Sequence, residues 1–154
     1  MTERENVAYV ARACLGTAEG SARHKTIVDI FNIYYKGGYM LKITDAWCAA
    51  FVSAVYIAAG LHDRIPIECS CGRMWEKGSK KELTRDREYE PKVGDIIFYD
   101  FARVGITNHV GIVSDILDGK RIRVIEGNHN DIVGYRNIPR DYLYTFGYIA
   151  PNIT

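Results

Sequence analysis

From Trp47 to Ala59 the chain runs Trp47-Cys48-Ala49-Ala50-Phe51-Val52-Ser53-Ala54-Val55-Tyr56-Ile57-Ala58-Ala59, with almost no polar side. A helix of this pattern is apolar all round and belongs inside a core. Asp45 is suited to cap its start and Gly60 to end it, so a helix is expected over about 45–59. Upstream, Thr2-x-x-Glu5 is a capping box, followed by Val7, Val10, Ala11 and Cys14 at helical spacing and a stop at Gly16. A second amphipathic helix opens at Gly20-Ser21, carries Ile27, Ile30, Phe31 and Tyr34, and closes at Gly37-Gly38. His24, near its start, reads as a surface residue. These N-terminal helices occupy about residues 2–36.

Beyond Pro66, Glu68-Cys69-Ser70-Cys71 leads into a short helix through Met74 and Trp75 that stops near Gly78. The charged stretch from Ser79 to Glu90 reads as a solvated connection. From Pro91 the period becomes that of strands, and a sheet is expected over about 93–150. Pro91-Lys92-Val93-Gly94-Asp95 makes a turn into Ile96-Ile97-Phe98-Tyr99. Tyr142, Tyr144, Phe146 and Tyr148 recur at strand spacing; they read as core, with a glycan-lining face as the alternative.

Two strands, from Asn108 to Ile116 and from Arg121 to Asn128, flank Asp118-Gly119, a strong hairpin signal. A turn centred there sets Asp115 opposite Ile122, Val113 opposite Val124, Gly111 opposite Glu126 and His109 opposite Asn128. Facing residues share a side of the sheet, so His109, Glu126 and Asn128 project together with Val113 and Val124. That side is expected to be the inner one, covering the apolar helix, with His109 meeting Cys48 at its rim. Gly111 is expected to keep space open beside the histidine, and Gly127 to let the strand end turn sharply. A bulge would shift this register.

At 154 residues the chain has room for a single domain with a real core, expected over 1–154. A formal net charge of +1, from 20 basic and 19 acidic side chains, gives no electrostatic case for nucleic acid or a membrane surface. No apolar run reaches membrane-spanning length, because Gly60, His62 and Asp63 interrupt the longest one, and the start lacks a signal-peptide pattern. The expected protein is a monomer made in the cytoplasm; to act outside the membrane it would need something else to export or release it. Cys14, Cys48, Cys69 and Cys71 are not spaced as a disulfide framework or a zinc site. Cys14 reads as packing, and so do Cys69 and Cys71, with a redox or metal pair as their alternative. No metal or other cofactor is expected.

Cys48 has two readings, a small buried hydrophobe or a nucleophile. The first turn of a helix favours a thiolate, through unpaired N–H groups and the positive end of the helix dipole. Attack on an amide also needs a base and a group that orients it. His109 and Glu126 fill those roles, Asn128 supports them, and the Cys48 backbone N–H is a natural oxyanion donor.

The ordered set Trp47-Cys48-Ala49-x-Phe51-Val52, Pro91-x-x-Gly94-Asp95-Ile96-Ile97-Phe98, His109-Val110-Gly111-Ile112-Val113 and Ile125-Glu126-Gly127-Asn128 resembles the CHAP family of cysteine amidohydrolases and peptidases, relatives of NlpC/P60 and papain-like enzymes. The resemblance spans about residues 40 to 150. It implies an α+β, papain-like fold with N-terminal helices packed on a C-terminal antiparallel sheet. It also implies cleavage of an amide bond in bacterial peptidoglycan, with Cys48 as nucleophile, His109 as base, Glu126 as orienting acid and Asn128 as the supporting fourth residue. N-acetylmuramoyl-L-alanine amidase activity is expected first. Endopeptidase activity at the same site, a protein-directed protease or deamidase, and a silent wall-binding module are the alternatives. Thr44-Asp45-Ala46-Trp47-Cys48 and Glu68-Cys69-Ser70-Cys71 look like lytic proteins of phages and prophages, which implies release by a holin or delivery with a particle. The glutamine that papain-like enzymes place before the cysteine has no counterpart, so the second oxyanion donor is unassigned.

Overall fold

The computed structural model describes residues Met1 to Thr154. Its first helix, α1 (Glu3–Ala13), starts at the expected capping box: Thr2 accepts from the Glu5 N–H, and the Glu5 carboxylate accepts from the Thr2 N–H. Helix α2 (Ala22–Tyr34) is capped by Ser21. Helix α3 spans Cys48–Ala58 and α4 spans Cys71–Lys80.

Every residue of α3 from Cys48 to Ile57 is buried, as its apolar pattern requires. Its end is a Schellman motif: the Leu61 N–H reaches the Tyr56 carbonyl, the Gly60 N–H reaches that of Ile57, and Gly60 takes a φ of 76°. Its start differs from expectation. Asp45 does not cap it; the Asp45 carboxylate instead accepts from the Lys42 N–H and the Tyr39 hydroxyl, closing a turn. The first intrahelical bond runs from Phe51 to Trp47, so Cys48 is the first residue of the helix.

Six antiparallel strands follow: β1 (Thr84–Arg85), β2 (Ile96–Tyr99), β3 (His109–Asp118), β4 (Arg121–His129), β5 (Ile132–Pro139) and β6 (Thr145–Ile149), in the order β1-β6-β2-β3-β4-β5. The molecule is therefore α+β, with helices preceding a C-terminal antiparallel sheet. Thr84–Arg85 adds a short edge strand inside the stretch expected to be only a solvated connection. The aromatic segment is a strand only in part: Tyr142 and Tyr144 lie in the turn before β6, while Tyr148 is buried within it.

Alternation sorts the sheet residues between two cores. Ile96, Phe98, Val110, Ile112, Ile125, Val133 and Ile149 pack with α1, α2 and α3. Ile97, Tyr99, Val113, Ile122, Val124, Ile138 and Tyr148 form a smaller cluster on the opposite face, under Tyr89, Phe101 and Tyr142. This corrects the expectation for Val113 and Val124, which face away from the helices.

The β3–β4 hairpin reaches the expected pairing by an unexpected route. Asp118 pairs with Arg121, so the loop is Gly119-Lys120, one residue later than expected. Register shifts between Ile116 and Asp118, and again between Val113 and Asp115, restore the pairing of Val113 with Val124 and of Ile112 with Ile125. Asp115 accordingly pairs with Arg123 rather than Ile122.

Candidate active site

Cys48 is positioned by its neighbour. The Trp47 indole N–H donates to Glu19 Oε1 at 2.9 Å, and its ring lies 4.3 Å from that of His24, centroid to centroid. His24 is thus fully buried, not on the surface as expected; its Nδ1 accepts from the Gly20 N–H, and burial pushes its pKa down. Behind Trp47 passes Gly127, where a Cβ would fall 2.5 Å from Phe51 Cβ and 3.1 Å from the indole. Gly127 therefore permits close packing of β4 on α3, rather than the sharp turn expected of it.

Cys48 is 7% exposed, and its Sγ lies 3.6 Å from Cys71 Sγ. Its pKa is held well below the ordinary thiol value, first by the hydrogen bond with Cys71 and then by His109 and the Ala49 N–H, against the opposing effect of burial. Cys71 is therefore not mere packing. A clamp fixes it there: Ser53 of α3 donates to the Glu68 carbonyl and accepts from the Glu68 N–H, at 2.9 and 3.0 Å. The buried Glu68 carboxylate binds Lys77 and Arg73 of α4. With Ser70 as cap, α4 begins at Cys71, so the first residues of two helices meet at their sulfurs.

His109 opens β3, and its Nε2 lies 2.9 Å from Glu126 Oε1. With Nε2 donating to the carboxylate, Nδ1 is left to exchange a proton with Cys48. Burial pulls the His109 pKa down, but the interactions with Cys48 and Glu126 outweigh it and raise the value to about 9. Both shifts favour the thiolate–imidazolium form of the pair.

A carboxylate with no exposure needs several partners. Glu126 has them: Arg136 donates Nε to Oε2 at 2.8 Å and Nη2 to Oε1 at 3.0 Å, and His129 Nδ1 lies 3.2 Å from Oε1. Burial raises its pKa, yet the hydrogen bonds from His109 and Arg136 prevail and bring it to about 2. The Arg136 guanidinium is itself flanked by the rings of Tyr99 and Phe101, at 5.5 and 5.0 Å. At Gly111 a Cβ would stand 2.6 Å from Val124 Cγ1 and 2.7 Å from Glu126 Cγ, so that glycine makes room for these β4 side chains.

Cys48, His109 and Glu126 are therefore brought together. Asn128 is close but not joined to them: it takes a φ of 57°, as do its neighbours Asn130 and Asp131 in kind, and lines an open polar cleft of about 470 Å³ with His109, Asn108, Asn130 and Arg136. The partner of His109 Nε2 is Glu126, not Asn128. Arg136 and Cys71 were not foreseen. Arg136 was legible in principle, since Glu126 pairs with Gly134 and the residue two further along β5 is its diagonal neighbour. Nothing in the local sequence distinguishes Cys71 from Cys69.

The family model described as CHAP domain matches residues 35–128. Two solved structures are similar in fold. NlpC2 from Trichomonas vaginalis has a TM-score of 0.57 at 17% identity, covering 99% of this chain and 47% of its own. Ly7917 has a TM-score of 0.55 at 14% identity, covering 96% and 62%. The chain thus spans less than two thirds of either. No curated protein sequence matches it.

Proposed function

Because this chain belongs to the CHAP domain family, we propose that it is a peptidoglycan hydrolase that cleaves an amide bond through a cysteine nucleophile. The observation that carries this reading is the pairing of a depressed Cys48 thiol at a helix start with a His109 whose outer nitrogen is tied to Glu126 at 2.9 Å. Cys48 attacks the carbonyl carbon. The oxyanion forms at the open N-terminus of α3, where the Cys48 N–H has no acceptor within the helix. His109, charged below about pH 9, delivers a proton to the leaving amine and then takes one from the water that releases the acyl group. Glu126 holds the imidazole in orientation. The polar cleft beside His109, with Asn128 on its wall, receives the stem peptide.

The bond we assign is that between muramic acid and L-alanine, and the setting is a phage or prophage lytic protein; both rest on the sequence resemblance. Mass spectrometry of purified peptidoglycan digested by the native protein and by Cys48→Ala tests the reading. Free stem peptides and peptide-free glycan, absent with the variant, are expected. Cross-bridge or stem fragments would make it an endopeptidase with the same machinery. Intact walls from several Gram-positive species, with a denatured protein cut instead, would overturn it.

A further inference from the structure

Amide hydrolysis as described needs Cys48, His109 and Glu126, and gives Cys71 no bond to make or break. Yet Cys71 is placed with care: Ser53 and Glu68 tie the start of α4 to α3, Ser70 caps α4, and the two sulfurs stand 3.6 Å apart, hydrogen-bonded with no disulfide between them. We propose that Cys48 and Cys71 form a peroxide-reactive dithiol, in which Cys71 is the resolving thiol and a Cys48–Cys71 disulfide reversibly blocks the nucleophile. The proposal rests on Cys48 being the reactive thiolate of the function above.

The chemistry balances with a hydroperoxide as oxidant. The Cys48 thiolate attacks one peroxide oxygen; the S–O bond forms, the O–O bond breaks, and the departing hydroxide takes a proton from the His109 imidazolium to become water. The Cys71 thiol then gives its proton to the neutral imidazole and attacks Cys48 Sγ. The S–S bond forms, the S–O bond breaks, and the second hydroxide leaves as water with that proton. Two thiols and one hydrogen peroxide thus become one disulfide and two waters.

The order of events follows from the charges. While Cys48 is a thiolate, the Cys71 thiol is held protonated, first by its hydrogen bond to Cys48 and also by burial and the neighbouring negative charge. Conversion of Cys48 to the neutral sulfenic acid removes that anion, and Cys71 at the N-terminus of α4 becomes free to ionise. Closure needs only a small approach of two side chains whose backbones are already clamped. The other thiols are poorly placed. Cys69 Sγ faces the Arg73 guanidinium at 4.0 Å, and Cys14 packs against the helical core.

The test is a peptide map of the whole protein treated with equimolar hydrogen peroxide, quenched by an alkylating agent and digested by trypsin without reductant. The expected product links the peptide from Ile43 to Arg64 with the peptide from Ile65 to Arg73. It should persist in Cys69→Ser, vanish in Cys71→Ser and Cys71→Ala, and revert with dithiothreitol. Wall hydrolysis by the native protein should be lost on treatment and restored by dithiothreitol. In the Cys71 variants, given a second equivalent of peroxide, Cys48 should advance to sulfinic acid, beyond rescue by dithiothreitol. Accumulation of Cys48 sulfinic acid in the native protein without the cross-link, or a link made to Cys69, would overturn the proposal. Because the link is read by mass, its failure is separate from that of the hydrolase reading: walls cleaved without a link refute only the dithiol, and a link without wall cleavage refutes only the substrate.

Discussion

Glu126 has no solvent exposure and stays ionised only through Arg136 and the two histidines around it. Its removal should therefore act on His109 and on the fold at once. In Glu126→Gln the carboxylate charge that helps raise His109 to about 9 is lost, so the imidazolium loses its proton at lower pH. The alkaline limb of the kcat/KM profile for wall hydrolysis should move down toward the unperturbed histidine value of about 6.5. The same substitution leaves Arg136 without its anion and should cost about 3–5 kcal/mol in urea denaturation. An unmoved alkaline limb would assign the high pKa to Cys48 alone. At this scale the sequence was legible where a residue type is scarce and chemically loaded, as with Cys48, His109 and Glu126. It was not where only tertiary contact decides. His24 sits among Ala22, Arg23, Lys25 and Thr26, a polar neighbourhood that signals a surface, yet the start of α2 abuts Trp47 and burial prevails.

Among the elements, α3 and β4 have to approach closely for Cys48 to meet the His109–Glu126 pair, and Gly127 is the point of approach. In Gly127→Ala the added methyl would stand 2.5 Å from Phe51 Cβ and 2.8 Å from its Cγ, with the indole behind. We expect a loss of about 1–3 kcal/mol by overpacking. Thermal unfolding measures that cost. The displacement of α3 should also slow alkylation of Cys48 by iodoacetamide, whereas an unaltered rate would mean that strand and helix part without moving the thiol. The helices and strands β2, β3 and β4 were legible from their periods, and so were the caps at Thr2, Ser21 and Gly60, whereas β1 and β5 were not read as strands. The start of α3 was not, because Asp45 has the chemistry of a cap but spends its carboxylate on Lys42 and Tyr39. The pairing of Val113 with Val124 was read correctly through a turn placed one residue early, because the two irregularities in β3 are invisible to a count made from the loop.

On the scale of the molecule, the sheet divides two cores, and the candidate site lies where its rim meets the start of α3. The opposite end of α3 is tied to the turn before β2 by the Tyr56 hydroxyl, which donates to the Gly94 carbonyl. Beside it the buried Asp95 carboxylate binds Arg4 at 2.8 Å, the Tyr89 hydroxyl at 3.0 Å and the Lys92 N–H at 2.8 Å. This joins α1, the connection and the sheet. Asp95→Ala strips Arg4 and Tyr89 of their common partner and should cost about 3–5 kcal/mol in urea denaturation; a loss below about 1 kcal/mol would mark the cluster as surface-like. The architecture was legible as helices followed by strands, and the sense of its faces was not. Alternation says which residues share a side, but only the bulk of the helices says which side they cover, and Val113 and Val124 proved to lie opposite them.

Trp47 also makes the protein its own optical probe. It is one of two tryptophans, and it is fully buried against His24, while Trp75 packs edge-on to Phe98 and Phe146. A dry indole emits toward the blue, and its brightness responds to charge beside it. One peptide bond from Cys48, Trp47 converts each gain or loss of negative charge on that sulfur into a change of light.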